Sequence, residues 1–255
     1  MDNIVLDWRY WREGQWGSQE FDTERFPDAK GMMKTLHEKY NANLMISVWA
    51  KFYEDTQNYK DLDAKGYILK RNVAENRKDW LGFNNAIYDP FNPDARKAFW
   101  NLINKNIYFT GIDAWWMDAS EPDVHSNMPP EVRKEMIGNT FLGAPEINYN
   151  AFSLMNAKGI YEGQRSVDPN KRIFMLTRSG FAGLQRYAAA TWSGDIGSRW
   201  EDLNHQIPAG LNFAMSGLPY WTTDIGGFSV ETRYENATGE NLHPISMTRR
   251  SLLLI

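Results

Sequence analysis

Short apolar runs alternate along this chain with longer segments whose apolar residues recur at three- and four-residue spacing. The first run, Ile4-Val5-Leu6 closed by Asp7-Trp8, reads as a buried strand, and a polar loop separates it from 28–40. There Met32, Met33 and Leu36 share a helical face, with lysine and glutamate on the other side. A continuous apolar run over 43–49 follows, of the kind that parallel sheets bury on both faces. A long loop then leads to Tyr88-Asp89-Pro90, and 94–108 carries Ala98, Leu102 and Ile103 at helical spacing. Next come a strand over 112–118, a helix near 150–166, a strand over 172–178 and an apolar run over 188–195. A helix over 200–213 and a run over 218–224 complete the pattern. Strand followed by helix, repeated, predicts βα units wound right-handedly into a parallel sheet. About six strands are expected, short of the eight in a closed βα barrel. No repeat, linker or low-complexity tract breaks the pattern, so 1–255 reads as one domain.

Composition narrows the chemistry. The chain has 255 residues, 42% of them hydrophobic and 24% charged, which suits an ordinary globular core. A net charge of −4 favours neither nucleic acid nor an anionic membrane surface. There is no cysteine, which excludes disulfides, thiolate catalysis and a cysteine-based zinc site. The four histidines, His37, His125, His205 and His243, are scattered, so neither a histidine metal cluster nor any cofactor is expected. No apolar run is long enough to span a bilayer, and the first residues lack the pattern of a secretory signal. The 11 tryptophans suit a large core, and also a sugar site, where flat rings stack on the apolar faces of pyranoses. A buried strand directly behind Met1, and the abrupt Leu252-Leu253-Leu254-Ile255 end, read as a domain missing neighbouring segments.

The strand ends carry the candidate chemistry. They are Asp7-Trp8, Trp49-Ala50-Lys51, Asp118, Arg178, Asp195 and Asp224. One strand-end acid by itself is more often a cap or a loop hydrogen bonder. In a parallel barrel, however, these tips converge on one mouth. Several carboxylates and an arginine gathered there suggest glycoside chemistry, in which one carboxylate attacks and another delivers a proton.

Four of these tips sit in motifs that resemble glycoside hydrolase family 31. Trp116-Met117-Asp118-Ala119-Ser120-Glu121 is similar to the family's nucleophile motif, and Thr177-Arg178-Ser179-Gly180-Phe181-Ala182-Gly183 to its sugar-binding strand. Trp192-Ser193-Gly194-Asp195 resembles the acid/base strand, and Asp224-Ile225-Gly226-Gly227-Phe228 a further sugar-facing one. The likeness extends over nearly all of 3–230. It implies an α/β fold, the (β/α)8 TIM-type barrel, incomplete, with about strands 2 to 7 present. The opening Asp7-Trp8-Arg9-Tyr10-Trp11, followed by Trp16-Gly17-Ser18-Gln19-Glu20-Phe21-Asp22, is most similar to the α-xylosidases.

The resemblance implies a retaining, exo-acting enzyme that releases α-linked xylose from xyloglucan-type oligosaccharides through a covalent glycosyl-enzyme. Asp118 would be the nucleophile and Asp195 the acid/base, with carboxyls about 5–5.5 Å apart. Arg178 beside Asp118 is expected to keep it ionised, while Asp195 holds its proton. Asp7 and Asp224 would accept from sugar hydroxyls. Trp80, Trp116, Trp192 and Phe228 would line the sugar site, and Glu121 would orient its neighbours. Xylose lacks the C5 hydroxymethyl of glucose, so a bulky ring near C5 would select for it. Trp8 is the candidate ring, with Trp11 or Trp49 as alternates. The rival readings are an α-glucosidase or α-transglucosylase, a non-catalytic sugar-binding remnant, and an unrelated barrel whose acids bind Mg²⁺.

The likeness stops short at both ends. Family members place a strand and helix before Asp7 and a histidine-bearing strand at the close. The tail 238–255, His243 included, departs from that pattern. An incomplete barrel exposes strand edges, which puts the isolated chain's activity at risk. A sugar substrate points to export of the intact parent, although this chain carries no signal segment.

Overall fold

A computed structural model describes residues 2–230 except 124, 126 and 127. The atypical tail and His243 therefore lie outside the described residues. In chain order the elements open with β1 (Asn3–Leu6), α1 (Ala29–Tyr40), β2 (Asn43–Ser47) and β3 (Lys51–Tyr53). Next come α2 (Gln57–Asp63), β4 (Ile68–Leu69), α3 (Arg71–Ala74), β5 (Asn85–Tyr88), α4 (Pro93–Asn106) and β6 (Ala114–Met117). Then follow α5 (Pro130–Ile137), α6 (Pro145–Asn148), α7 (Phe152–Val167), β7 (Met175–Thr177), β8 (Ala189–Trp192), α8 (Trp200–Met215) and β9 (Trp221–Thr222).

Six of these strands form one parallel sheet in the order β1-β2-β6-β7-β8-β9. The order never doubles back. A doubly wound sheet reverses at a switch point, whereas a barrel adds each new strand on the same side. The register Met45↔Ala114, Trp115↔Met175 and Met175↔Ala189 aligns buried residues across four strands. All six strand tips therefore come out at one end. Among the described residues, β1 and β9 each have a strand neighbour on one side only.

The helices start and pack for local reasons. Asp28 caps α1 by accepting from the Gly31 amide at 2.7 Å, and Asn92 caps α4 ahead of Pro93. The faces of α4 and α7 meet where Gly163 lies under the Trp100 indole. A Cβ at Gly163 would come within 2.2 Å of that ring. Gly163→Ala is therefore expected to destabilise the chain by about 1–3 kcal/mol through overpacking, read as a lowered thermal midpoint. Trp100 in turn packs edge-on to Trp115, whose Nε1 donates to Gln164 Oε1 at 2.8 Å.

The structure corrects the reading of 50–93 as a long loop. This segment holds a second, antiparallel sheet in the order β3-β5-β4, together with α2 and α3. Its strands of two to four residues are too short to show an alternation. Long-range contacts organise them instead: Phe52 lies edge-on to Phe99 and Tyr88 stacks on it. The expected strands over 172–178 and 218–224 are also shorter than read, Met175–Thr177 and Trp221–Thr222. Among the described residues no helix is long and apolar enough to cross a membrane.

Candidate active site

A cavity of about 280 Å³ opens where the six strand tips meet. Asp7 follows β1, Trp49 follows β2, Asp118 follows β6, Arg178 follows β7, Asp195 follows β8 and Asp224 follows β9. All six line it. Trp116 and Trp192, the last aromatics of β6 and β8, face it with rings 5.8 Å apart. Trp8, Trp80 and Phe228 complete the wall. Eleven of the residues singled out from the sequence thus share one space, and Glu121 stands just behind it. Trp11, an alternate for the selecting ring, is buried beside Tyr10 and Trp16 and faces a separate, smaller cavity. Trp80 reaches the rim from the loop between α3 and β5.

Tight turns hold the acids at the tips. Asp118 Oδ1 accepts from the Ala119 amide at 2.7 Å, and Ala119 adopts a left-handed φ of 53°. A non-glycine residue there is strained, and such strain clusters at functional sites. Ser120 secures the same turn by donating to the Met117 carbonyl at 2.6 Å. Gly194 has φ 74°, and a Cβ there would lie 3.3 Å from the Arg178 side chain. Glycine lets Asp195 approach Arg178.

One guanidinium organises the charges. Arg178 Nε lies 3.3 Å from Asp118 Oδ1 and 2.6 Å from Glu121 Oε1. Its Nη1 donates to Asp195 Oδ2 at 3.3 Å, and its Nη2 lies 2.5 Å from Glu121 Oε1 and 3.7 Å from Asp123 Oδ2. The fork geometry of arginine permits this sharing, which a lysine ammonium could not match. Arg133 sits 3.9 Å from both Glu121 and Asp123. Four carboxyl groups thus gather around two guanidiniums. Arg133 was missed in the sequence as a site residue. Asp123 closes the acidic run begun at Asp118, and only the fold shows that it is buried.

The expectation that Arg178 keeps Asp118 ionised is corrected. Burial pushes the Asp118 carboxyl up to about 7, outweighing the attraction of Arg178, and Glu121 and Asp195 push in the same direction. Asp7 is also raised, mainly by burial and partly by the charge of Asp195. The carboxylates around it hold the Arg178 guanidinium firmly in its charged form. The indole N–H groups of Trp49 and Trp116 are buried without an acceptor among the described residues. Among the described residues no group of three or more histidine, aspartate or glutamate side chains is placed to hold a metal ion.

A parallel α/β barrel sheet with an aromatic, acid-lined cavity at its strand tips is the class that this fold and site define. Comparison with known proteins gives the family. Residues 1–242 match the Glycosyl hydrolases family 31 TIM-barrel domain, and the chain belongs to that family. It is 44% identical over 230 residues to an α-xylosidase of Saccharolobus solfataricus, covering 89% of this chain and 29% of that protein. A crystal structure of a family 31 α-xylosidase from Xanthomonas citri superposes with a TM-score of 0.87 at 51% identity, covering 92% of this chain and 26% of that one. An α-xylosidase from a soil metagenome, solved with xylose, gives a TM-score of 0.79 at 34% identity, covering 90% of this chain and 32% of that one. The chain thus spans less than a third of the length of these relatives.

Proposed function

We propose that this chain carries the centre of a retaining, exo-acting α-xylosidase that releases α-linked xylose from xyloglucan-type oligosaccharides. The observation that carries this reading is the pairing of Asp118 with Asp195. The two come from separate strand tips, line one cavity and contact the same guanidinium. The similarity to proteins named α-xylosidase supports xylose as the sugar.

In this mechanism Asp118 attacks the anomeric carbon and its Oδ forms an ester bond to C1. The bond from C1 to the leaving oxygen breaks, and that oxygen takes the proton of Asp195. A water molecule then gives its proton back to Asp195. Its oxygen attacks C1 and expels Asp118 as the carboxylate, which returns the enzyme to its starting state. Arg178 keeps its positive charge beside both acids throughout. Asp7 and Asp224 accept from sugar hydroxyls, the rings of Trp49 and Trp116 wall the sugar, and Glu121 holds Arg178 in place. Trp8 crowds the position that a C5 hydroxymethyl would take. Oligosaccharide is the only partner this reading requires.

The test compares turnover of aryl α-xyloside and aryl α-glucoside by the purified chain. Xyloside is expected to be preferred by about 10–200-fold, the range that a missing or extra methylene supports. A preference for glucoside would favour the rival α-glucosidase reading. That reading draws on 31% identity to an α-glucosidase of Saccharolobus solfataricus, covering 80% of this chain and 32% of that protein. No turnover of either glycoside, with xylose still bound, would leave a sugar-binding remnant.

A further inference from the structure

Behind the aromatic wall of the cavity lies a buried ion pair that the proposed mechanism does not use. Lys51, on β3, and Asp79 have side chains 1% and 0% exposed, and Lys51 Nζ lies 2.6 Å from Asp79 Oδ2. The same oxygen accepts from the Tyr53 hydroxyl at 2.9 Å. The other oxygen, Oδ1, accepts from the backbone amides of Leu81 at 3.0 Å and Phe83 at 3.2 Å. Asp79 also closes its own loop through its backbone, with Asp79 N donating to Phe83 O and Gly82 N to Asp79 O. The carboxylate is therefore the knot of residues 79–83, and that loop carries Trp80 to the rim.

Ring contacts also hold this loop: Trp80 meets Trp8, Trp16 and Trp49, and Phe83 stacks on Tyr53. Trp80 is 47% exposed and Leu81 38%, so apolar burial gives only part of the hold. The ammonium contributes from below, with Lys51 Nζ 4.4 Å from the Trp80 ring centre and 4.0 Å from that of Trp16. Trp16 is fully buried and stacks beneath Trp8 at 5.0 Å and 18°. One cation thus touches Trp80 directly and reaches Trp8 through Trp16. A buried ion pair is no better for stability than a packed apolar pair, so its distinct contribution is directional.

We infer that the Lys51–Asp79 pair is a positioning device that sets the depth of Trp80 and Trp8 over the cavity and so tunes its fit to a pentose. This inference rests on the reading of the cavity as a xylose site. The pair touches neither sugar nor reacting atoms; it acts through the two rings. Preorganised rings bind without a further ordering cost, which is lost when the loop is released.

The test is Lys51→Met, alone and with Asp79→Asn. The double variant leaves no unpaired charge buried, so it keeps the comparison sharp if the single one unfolds. Xylose binding is read from intrinsic tryptophan fluorescence, and KM and kcat from aryl α-xyloside turnover. Both variants should weaken xylose binding and raise KM at least tenfold, with kcat within threefold. In a background carrying both Trp8→Ala and Trp80→Ala, Lys51→Met should add less than a twofold effect, because both of its routes to the sugar are gone. Binding within twofold of the unsubstituted chain, or an effect undiminished in that background, would overturn the inference and leave the xylose site standing. An unsubstituted chain that binds no xylose would overturn both.

Discussion

Asp118→Asn should abolish glycoside turnover, by at least about 10⁴-fold, and at the same time stabilise the fold above pH 7. The first effect follows from the proposed loss of the attacking oxyanion. The second follows from proton linkage. The folded Asp118 carboxyl titrates at about 7 against an ordinary value of 3.8, so the folded state binds its proton more tightly than the unfolded state does. That contribution to stability is complete below the unfolded value and is lost as pH rises through about 7. At pH 8 the unsubstituted chain carries a charged, buried Asp118, whose cost is at most roughly 4 kcal/mol for a shift of this size. Asparagine removes that charge and keeps an oxygen for the Ala119 amide. Arg178 retains Glu121, Asp123 and Asp195 as partners. Denaturation midpoints of the two chains should coincide near pH 4 and diverge in favour of Asp118→Asn by pH 8. The same proton sets the rate profile. In the free enzyme kcat/KM should fall as pH falls through about 7, because a protonated Asp118 cannot attack. A variant no more stable at pH 8 than at pH 4, relative to the unsubstituted chain, would show that burial does not govern this carboxyl.

Arg178→Met should be the most destabilising substitution in the site. The guanidinium is 4% exposed in its side chain and lies within 3.7 Å of the carboxyl groups of Asp118, Glu121, Asp123 and Asp195. Removing it leaves a cluster of like charges in a poorly solvated space, with Arg133 more distant. Loss of one partner from a buried pair costs about 3–5 kcal/mol, and here one partner serves several carboxylates. Urea unfolding at pH 7 should show a loss of at least that size. The deficit should shrink as pH is lowered, since protonation of the stranded carboxyls removes the repulsion. Arg178→Lys should recover little of it, because a single ammonium cannot reach the positions that the planar fork spans. An unchanged midpoint for Arg178→Met would mean that the carboxylates are neutralised in another way.

How far the chain could be read in advance depended on the range of each cause. The parallel strands β1, β2, β6 and β8 were legible because each is a local apolar run, and a run ending in Asp or Trp marks a tip in any parallel βα fold. The helices α1, α4, α7 and α8 were legible from helical spacing, with bounds within a few residues of those observed. The small sheet β3-β5-β4 was not, since strands of two to four residues carry no period and take their shape from Phe52, Tyr88 and Phe99 packing at long range. Trp80 illustrates the same gap. The resemblance placed it at the sugar site, but nothing near it in sequence tells of Lys51, 29 positions earlier, beneath its ring.

Sequence by itself determined the succession of the main parallel strands and helices, the identity of the groups at the strand tips and the family they resemble, because side-chain chemistry and periodicity are written locally. Only the tertiary structure decided that Arg178 would be shared among four carboxylates, that Asp118 would titrate near neutrality and that a buried lysine would sit under the aromatic wall. Those properties depend on distance and solvent exclusion between segments far apart in the chain. A carboxyl's proton affinity is set by what surrounds it in space, and no neighbour in sequence records that.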